Sequence, residues 1–163
     1  DVRTPRLHGT AAKLMPHQGG CLCGAVRFEI TADPIGARYC WCQDCQRIAS
    51  GMATMNVLFP SEAVAYSGEM ATMRLVADSG NTVERGFCSQ CGSQMYSKTV
   101  IGPQQPMRVR AGTLDDPEIC PPSLIIWGPS APSWAPFPKG MPVLQAGPGS
   151  PEWRRSETLQ EKL

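Results

Sequence analysis

The chain has 163 residues, a formal net charge of +1, and 42% hydrophobic against 18% charged residues. That length suits one domain with a tail and a sizeable core. The near-neutral charge offers no basic patch for nucleic acid or an anionic membrane, and no apolar run approaches a membrane span. Sixteen glycines and sixteen prolines predict a fold rich in turns and poor in helix.

Residues 1–18 are polar and irregular and read as an N-terminal arm. His8 and His17 fall there, outside any ligand-spaced pair, and read as surface histidines. Gly19 and Gly20 lead into Cys21-Leu22-Cys23-Gly24, where glycine permits a tight turn that aims both thiols inward. Residues 25–31 alternate apolar with polar and predict a strand, closed by Asp33-Pro34. Residues 39–51 carry Cys40-Trp41-Cys42-Gln43-Asp44-Cys45, with a short helix over 42–50 and Gly51 as its stop. A helix starting at the thiols points its amides at them and favours thiolate. Arg47 is a candidate for holding an anionic substrate group, with a surface ion pair as its other reading.

Strands are predicted over 52–59, 63–66, 70–76, 82–87, 95–100 and 107–111. The third and fourth form a hairpin around Ser79-Gly80-Asn81. That hairpin delivers Cys88-Ser89-Gln90-Cys91, with Gly92 completing a knuckle-like turn. Asp115 and Asp116 are adjacent, so an extended chain points them opposite ways, and Pro117 marks a solvated turn rather than a carboxylate pair. Residues 123–127 predict a buried strand. Residues 128–151 hold seven prolines with Trp134 and Phe137. They read as irregular coil wrapped over the domain, with a disordered tail as the other reading. Residues 153–163 are a short terminal helix or a frayed end.

Seven of the eight cysteines fall in three clusters, and Cys120 stands apart. A tetrahedral zinc takes four ligands, with Zn–S of about 2.3 Å, and CxxC brings two thiolates onto one short turn. CxC plus CxxC makes a closed set of four, Cys21, Cys23, Cys88 and Cys91. CxCxxC makes three, Cys40, Cys42 and Cys45, and leaves a fourth position open as in a catalytic zinc. Disulfides are the competing reading. CxC neighbours pair poorly, and the chain is long for a stapled fold. Metal-binding thiols imply a reducing, cytoplasmic setting. Cys120 reads as a free thiol, with a fourth ligand to the three-cysteine set as its other role.

Three stretches resemble one known family, the glutathione-dependent formaldehyde-activating enzymes. They are Gly19-Gly-Cys-Leu-Cys-Gly-Ala-Val-Arg-Phe28, Cys40-x-Cys-x-x-Cys-x-Arg-x-x-Ser-Gly51 and Phe87-Cys-x-x-Cys-Gly-Ser93. Gly112-Thr-Leu-Asp-Asp-Pro117 and Ile126-Trp127 fit the family order. The resemblance implies a mainly β "β-tent" fold of short antiparallel sheets around a structural zinc, with one short helix and a proline-rich C-terminal coil. It divides the chain into an arm (1–18), a zinc-binding domain (19–138) and a tail (139–163). It implies a structural zinc on Cys21, Cys23, Cys88 and Cys91 and a catalytic zinc on Cys40, Cys42 and Cys45.

The activity implied is that of a carbon–sulfur lyase acting on a carbonyl compound or its thiol adduct, as in S-(hydroxymethyl)glutathione synthesis. Arg47 and Ser50 are expected to contact substrate there, with Tyr39, water or the incoming thiolate as base. The expected partner is a small carbonyl or thiol, glutathione included, with homodimerisation compatible. Two positions depart from the family pattern, where histidine is usual: Trp41 and Ile125. They either line a pocket for a larger, more apolar metabolite processed by a lyase, hydrolase or isomerase step, or simply pack. A non-catalytic, zinc-stabilised binding module is the third reading.

Overall fold

The computed structural model describes residues 16–156. The strands are β1 (His17–Gly20), β2 (Arg27–Ile30), β3 (Gly36–Cys40), β4 (Thr54–Phe59), β5 (Val64–Ser67), β6 (Met70–Val76), β7 (Thr82–Cys88), β8 (Gln94–Ile101), β9 (Met107–Arg110) and β10 (Leu124–Ile126). The one α-helix among the described residues, α1 (Gln43–Ile48), sits between β3 and β4. The fold is therefore mainly β, as the pattern of short alternating segments predicts. His8 and the end of the predicted terminal helix lie outside the described residues.

Two sheets form. The smaller runs β1-β2-β5, and the larger runs β10-β3-β4-β9-β8-β7-β6. Neighbours are antiparallel throughout, except that β10 lies parallel to β3. That parallel pair departs from the purely antiparallel expectation. It arises because β10 returns along the outer edge of β3 after a long connection, which an adjacent hairpin cannot do.

β1 and β3 escape sequence reading. β1 is His-Gln-Gly-Gly, and two glycines erase a strand signal. Gly19 is required there by close packing: a Cβ would lie 2.2 Å from both the Phe28 ring and the Thr113 carbonyl. β3 is short and follows Pro34 closely, yet it is an interior strand, registered Ala37 to Val57 and Cys40 to Thr54.

The large sheet has two different faces. Ala37, Val57, Val109, Phe59 and Met107 join Val26, Phe28 and Ile30 of the small-sheet side in the main core. Each such large side chain contributes about 1.5–3 kcal/mol on burial. The residues between them in sequence, Arg38, Asn56, Arg108 and Arg110, must face the other way because side chains alternate along a strand.

The proline-rich coil wraps the domain. The Leu144 amide donates to Ile125 O (2.8 Å), and the Trp153 amide donates to Val143 O (2.7 Å). Its side chains complete a second apolar cluster of Trp41, Ile125, Ala135 and Val143, packed by Phe137 and Trp153. Arg155 caps that cluster, 4.2 Å from the Phe137 ring centroid.

Candidate functional site

The first thiol group joins two distant turns. The Cys21–Gly24 turn closes through Gly24 N–H to Cys21 O (3.1 Å), and the turn after β7 closes through Gly92 N–H to Cys88 O (2.9 Å). Gly24 (φ 79°) and Gly92 (φ 73°) hold the left-handed geometry that knuckle turns need. The Ser93 hydroxyl accepts from the Leu22 amide (3.0 Å) and lies 3.2 Å from Cys91 Sγ. It thereby stitches the two turns together. The sulfurs of Cys21, Cys23, Cys88 and Cys91 all lie within 4.8 Å of one another. Cys21–Cys23 is 3.5 Å and Cys23–Cys88 is 3.8 Å. Four thiolates at about 2.3 Å around a tetrahedral zinc stand about 3.8 Å apart, so this donor set fits that ion. Hydrogen bonds from the Ser93 hydroxyl and amide are the main cause holding the Cys91 thiol down at about 5, which favours the thiolate a metal binds.

The second group forms where β3 runs into α1. Cys40 ends β3 and Cys45 lies in the first turn of the helix. Cys42 is the helix N-cap, its sulfur accepting from the Cys45 amide at 3.5 Å. Cys40, Cys42 and Cys45 are all at least nine-tenths buried and mutually within 4.8 Å. The Cys45 thiol is held far below its ordinary value, first by hydrogen bonds from Cys40 and Cys42 and then by the charge of Arg110. Cys40 is pushed well up, first by its contacts with Cys42 and Cys45 and then by burial. Three crowded thiols with one strongly favoured anion make a soft donor set for a thiophilic cation. Cys120 is not part of it. That residue packs against the main core, so the three-cysteine set gains no fourth thiol from the described residues.

Beside these thiols lies a cleft of about 110 Å³, whose lining includes Cys40, Cys42, Cys45, Asn56, Trp127 and four arginines, Arg38, Arg85, Arg108 and Arg110. The strand register builds the arginine row. Arg38 sits opposite Asn56, and Asn56 opposite Arg110. Arg108 sits opposite Ser97, and Ser97 opposite Arg85. Arg110 donates to the Asn56 side-chain oxygen, and Arg108 donates to Ser97 Oγ (2.9 Å) and Gln105 Oε1 (3.0 Å). Arg85 donates to Asp44 on α1 (3.0 Å), tying the helix to the sheet. Burial, then the charges of the other three guanidiniums, push Arg108 down to about 10. Trp127 enters the rim with a left-handed backbone (φ 61°), a strained choice for an aromatic residue.

The predicted contacts outside the thiols fall elsewhere. Arg47 and Ser50 are exposed at the far end of α1 and do not line the cleft, because the helix runs outward from Cys42. Trp41 and Ile125 do not open a greasy pocket beside the thiols. They are 2% and 0% exposed in the second apolar cluster. Tyr39 borders the separate apolar pocket that Trp41, Met52 and Phe137 also line, so it is no base for the cleft. Asp115 pairs with Arg27 (3.1 Å), as a solvated turn would allow. His17, in β1, packs on Phe59 of β4. The arginines are what sequence reading misses. Met107-Arg-Val-Arg110 shows the alternation, yet alternation alone does not say whether a polar face meets solvent or a cleft.

A mainly β domain with one closed four-thiol group and one three-thiol group opening on a cleft defines the class of protein. Over residues 16–130 the sequence matches the family model described as glutathione-dependent formaldehyde-activating enzyme, and the chain belongs to that family. A Halomonas elongata protein is 30% identical over 94 residues, covering 55% of this chain and 58% of its own length. A Talaromyces marneffei protein is 26% identical over 80 residues, covering 48% and 42%. Both carry, provisionally, the name glutathione-dependent formaldehyde-activating enzyme. The chain thus spans about half the length of the curated relatives it matches. A crystal structure of a Rhodobacter sphaeroides protein aligns with TM-score 0.48 at 19% identity, over 60% of this chain and 87% of that one.

Proposed function

We propose that the chain is a zinc-dependent enzyme of the carbon–sulfur lyase type that joins a thiol to a carbonyl compound, or releases one from the adduct. The observation that carries this reading is the convergence of Cys40, Cys42 and Cys45 at the floor of a guanidinium-lined cleft. Zinc held by these three thiols would keep one position for an outside sulfur or oxygen and supply mild Lewis acidity, the thiolates having offset its charge.

The chain's own residues do the rest. Among the described residues no histidine lines the cleft, and the one carboxylate that does, Asp78, is exposed at the rim. The substrate thiol therefore arrives as thiolate, and the protein's contribution is to hold it and its partner in reach. As the C–S bond forms, the carbonyl π pair moves onto oxygen. Buried guanidinium N–H groups with no protein partner, Arg110 Nε and Nη2 and Arg38 Nε, stand ready to stabilise that oxyanion, which then takes a proton from water. The Asn56 bond fixes Arg110, so the donors are set before reaction. Cys21, Cys23, Cys88 and Cys91 serve the fold.

The test is NMR exchange between formaldehyde, glutathione and their adduct, with zinc-loaded protein. Acceleration abolished in Cys42→Ser supports the reading. No acceleration with formaldehyde or any small aldehyde, by fully zinc-loaded protein, contradicts it.

A further inference from the structure

The arginine row is larger than the three thiols require. Arg85 and Arg110 are 4% and 7% exposed, and Arg38 and Arg108 are half-buried. Burying four cations side by side is costly unless anions face them. Among the described residues, the only ion pair to any of the four is that of Arg85 with Asp44. Six of their nitrogens are buried without a protein hydrogen-bond partner: Arg38 Nε, Arg85 Nε and Nη1, Arg108 Nη2, and Arg110 Nε and Nη2. Three thiolates around a divalent cation carry one net negative charge, and Asp44 adds another. Against four guanidiniums, two positive charges stay unmatched. Exposed Asp78 at the rim makes no ion pair with any of the four. The cleft's volume of about 110 Å³ lies below the roughly 300–1,000 Å³ of pockets that enclose drug-sized ligands.

We infer that the three-cysteine cleft takes a compact substrate carrying two negative charges, a phosphate monoester or a dicarboxylate, held by Arg38, Arg85, Arg108 and Arg110. This rests on the reading that the cleft is the reaction site, and it makes an anionic carbonyl compound the preferred partner over uncharged formaldehyde. Guanidinium forks match phosphate and carboxylate oxygens two at a time, which a neutral aldehyde cannot use. The empty donors and the charge surplus point at the same small volume. The apolar pocket at Trp41 shares no lining residue with it and carries no charged side chain.

The experiment is calorimetric titration of zinc-loaded protein at physiological ionic strength, which reads binding without turnover. Inorganic phosphate and succinate are the dianionic probes, acetate the monoanionic one, and glutathione the competitor. One saturable site for phosphate or succinate is expected, with acetate at least tenfold weaker. Whichever dianion binds more tightly identifies the headgroup. Arg108→Gln should weaken it about tenfold or more, and Arg108→Lys should restore part of the loss. Should Arg108→Gln fail to fold, Arg38→Gln makes the same demand on a side chain with no hydrogen bond among the described residues. Absence of dianion binding, equal affinity for acetate, or no change in a folded arginine variant would overturn the inference. So would glutathione displacing phosphate at comparable affinity, because the arginines would then serve the tripeptide's carboxylates. Dianion binding without adduct exchange would instead count against the thiol chemistry and leave the anion site standing.

Discussion

Replacing Cys88 by serine tests the four-thiol group at its most buried member. Cys88 is 0% exposed at the end of β7, and its sulfur lies 3.8 Å from that of Cys23 on the distant turn. Structural zinc in small domains contributes about 10–16 kcal/mol, so one ligand in four is worth about 3–4 kcal/mol. A buried serine hydroxyl without a good partner adds about 1–3 kcal/mol. Together these lower Tm by about 8–28 °C, at about 2–4 °C per kcal/mol for a chain of this size. Cys23→Ser is the internal comparison. Cys23 is exposed, so only the ligand loss remains, and the drop should be about 6–16 °C. Circular dichroism melts with metal content measured on the same samples give both numbers. A Cys88→Ser protein that keeps the wild-type zinc content and melts within about 2 °C of wild type would refute the reasoning.

Three further outcomes follow from the same geometry. Cys42→Ser should lower Tm much less than Cys88→Ser, because serine is itself a strong helix N-cap, while removing adduct exchange; a collapse as severe as that of Cys88→Ser would show that both thiol groups are structural. Trp41→His, which installs the residue usual in the family, should cost about 3–5 kcal/mol and yield no gain in activity, since position 41 points into the apolar cluster; a stable, more active variant would place that side chain in the cleft. Burial acts to raise the Glu84 carboxyl, but hydrogen bonds from Arg74, Lys98 and Tyr96 outweigh it and hold it below its ordinary value of 4.5. Its stabilisation is therefore present above that value and lost as pH falls through the lowered one. Glu84→Gln should destabilise by about 1–2 kcal/mol at pH 7, with the difference closing in acid; a difference constant to strongly acidic pH would contradict the assignment.

Much of the site is legible in the sequence because metal ligation is written in local spacing. CxC, CxxC and CxCxxC each place sulfurs on one turn, and the remaining question is only which turns meet. The helix at Cys42 and the hairpin before Cys88 are local too. What escapes is non-local. β1 becomes a strand because β2 offers an open edge, although two glycines argue against it. Trp41 and Ile125 fill a core that the C-terminal coil completes, and nothing near them in sequence reports that cover. The arginine row is assembled from β3, β7 and β9, strands far apart in the chain that only the register brings together. Arg47, adjacent to the thiols in sequence, lies outside the cleft for the converse reason: a short helix carries it away within one turn.

Zinc stoichiometry of the wild type and of Cys42→Ser, purified side by side and measured by mass spectrometry, tests the central claim most directly. Two zincs per wild-type chain and one in a fully folded Cys42→Ser protein are the predicted result. Equal zinc content in both proteins would contradict a metal centre on Cys40, Cys42 and Cys45.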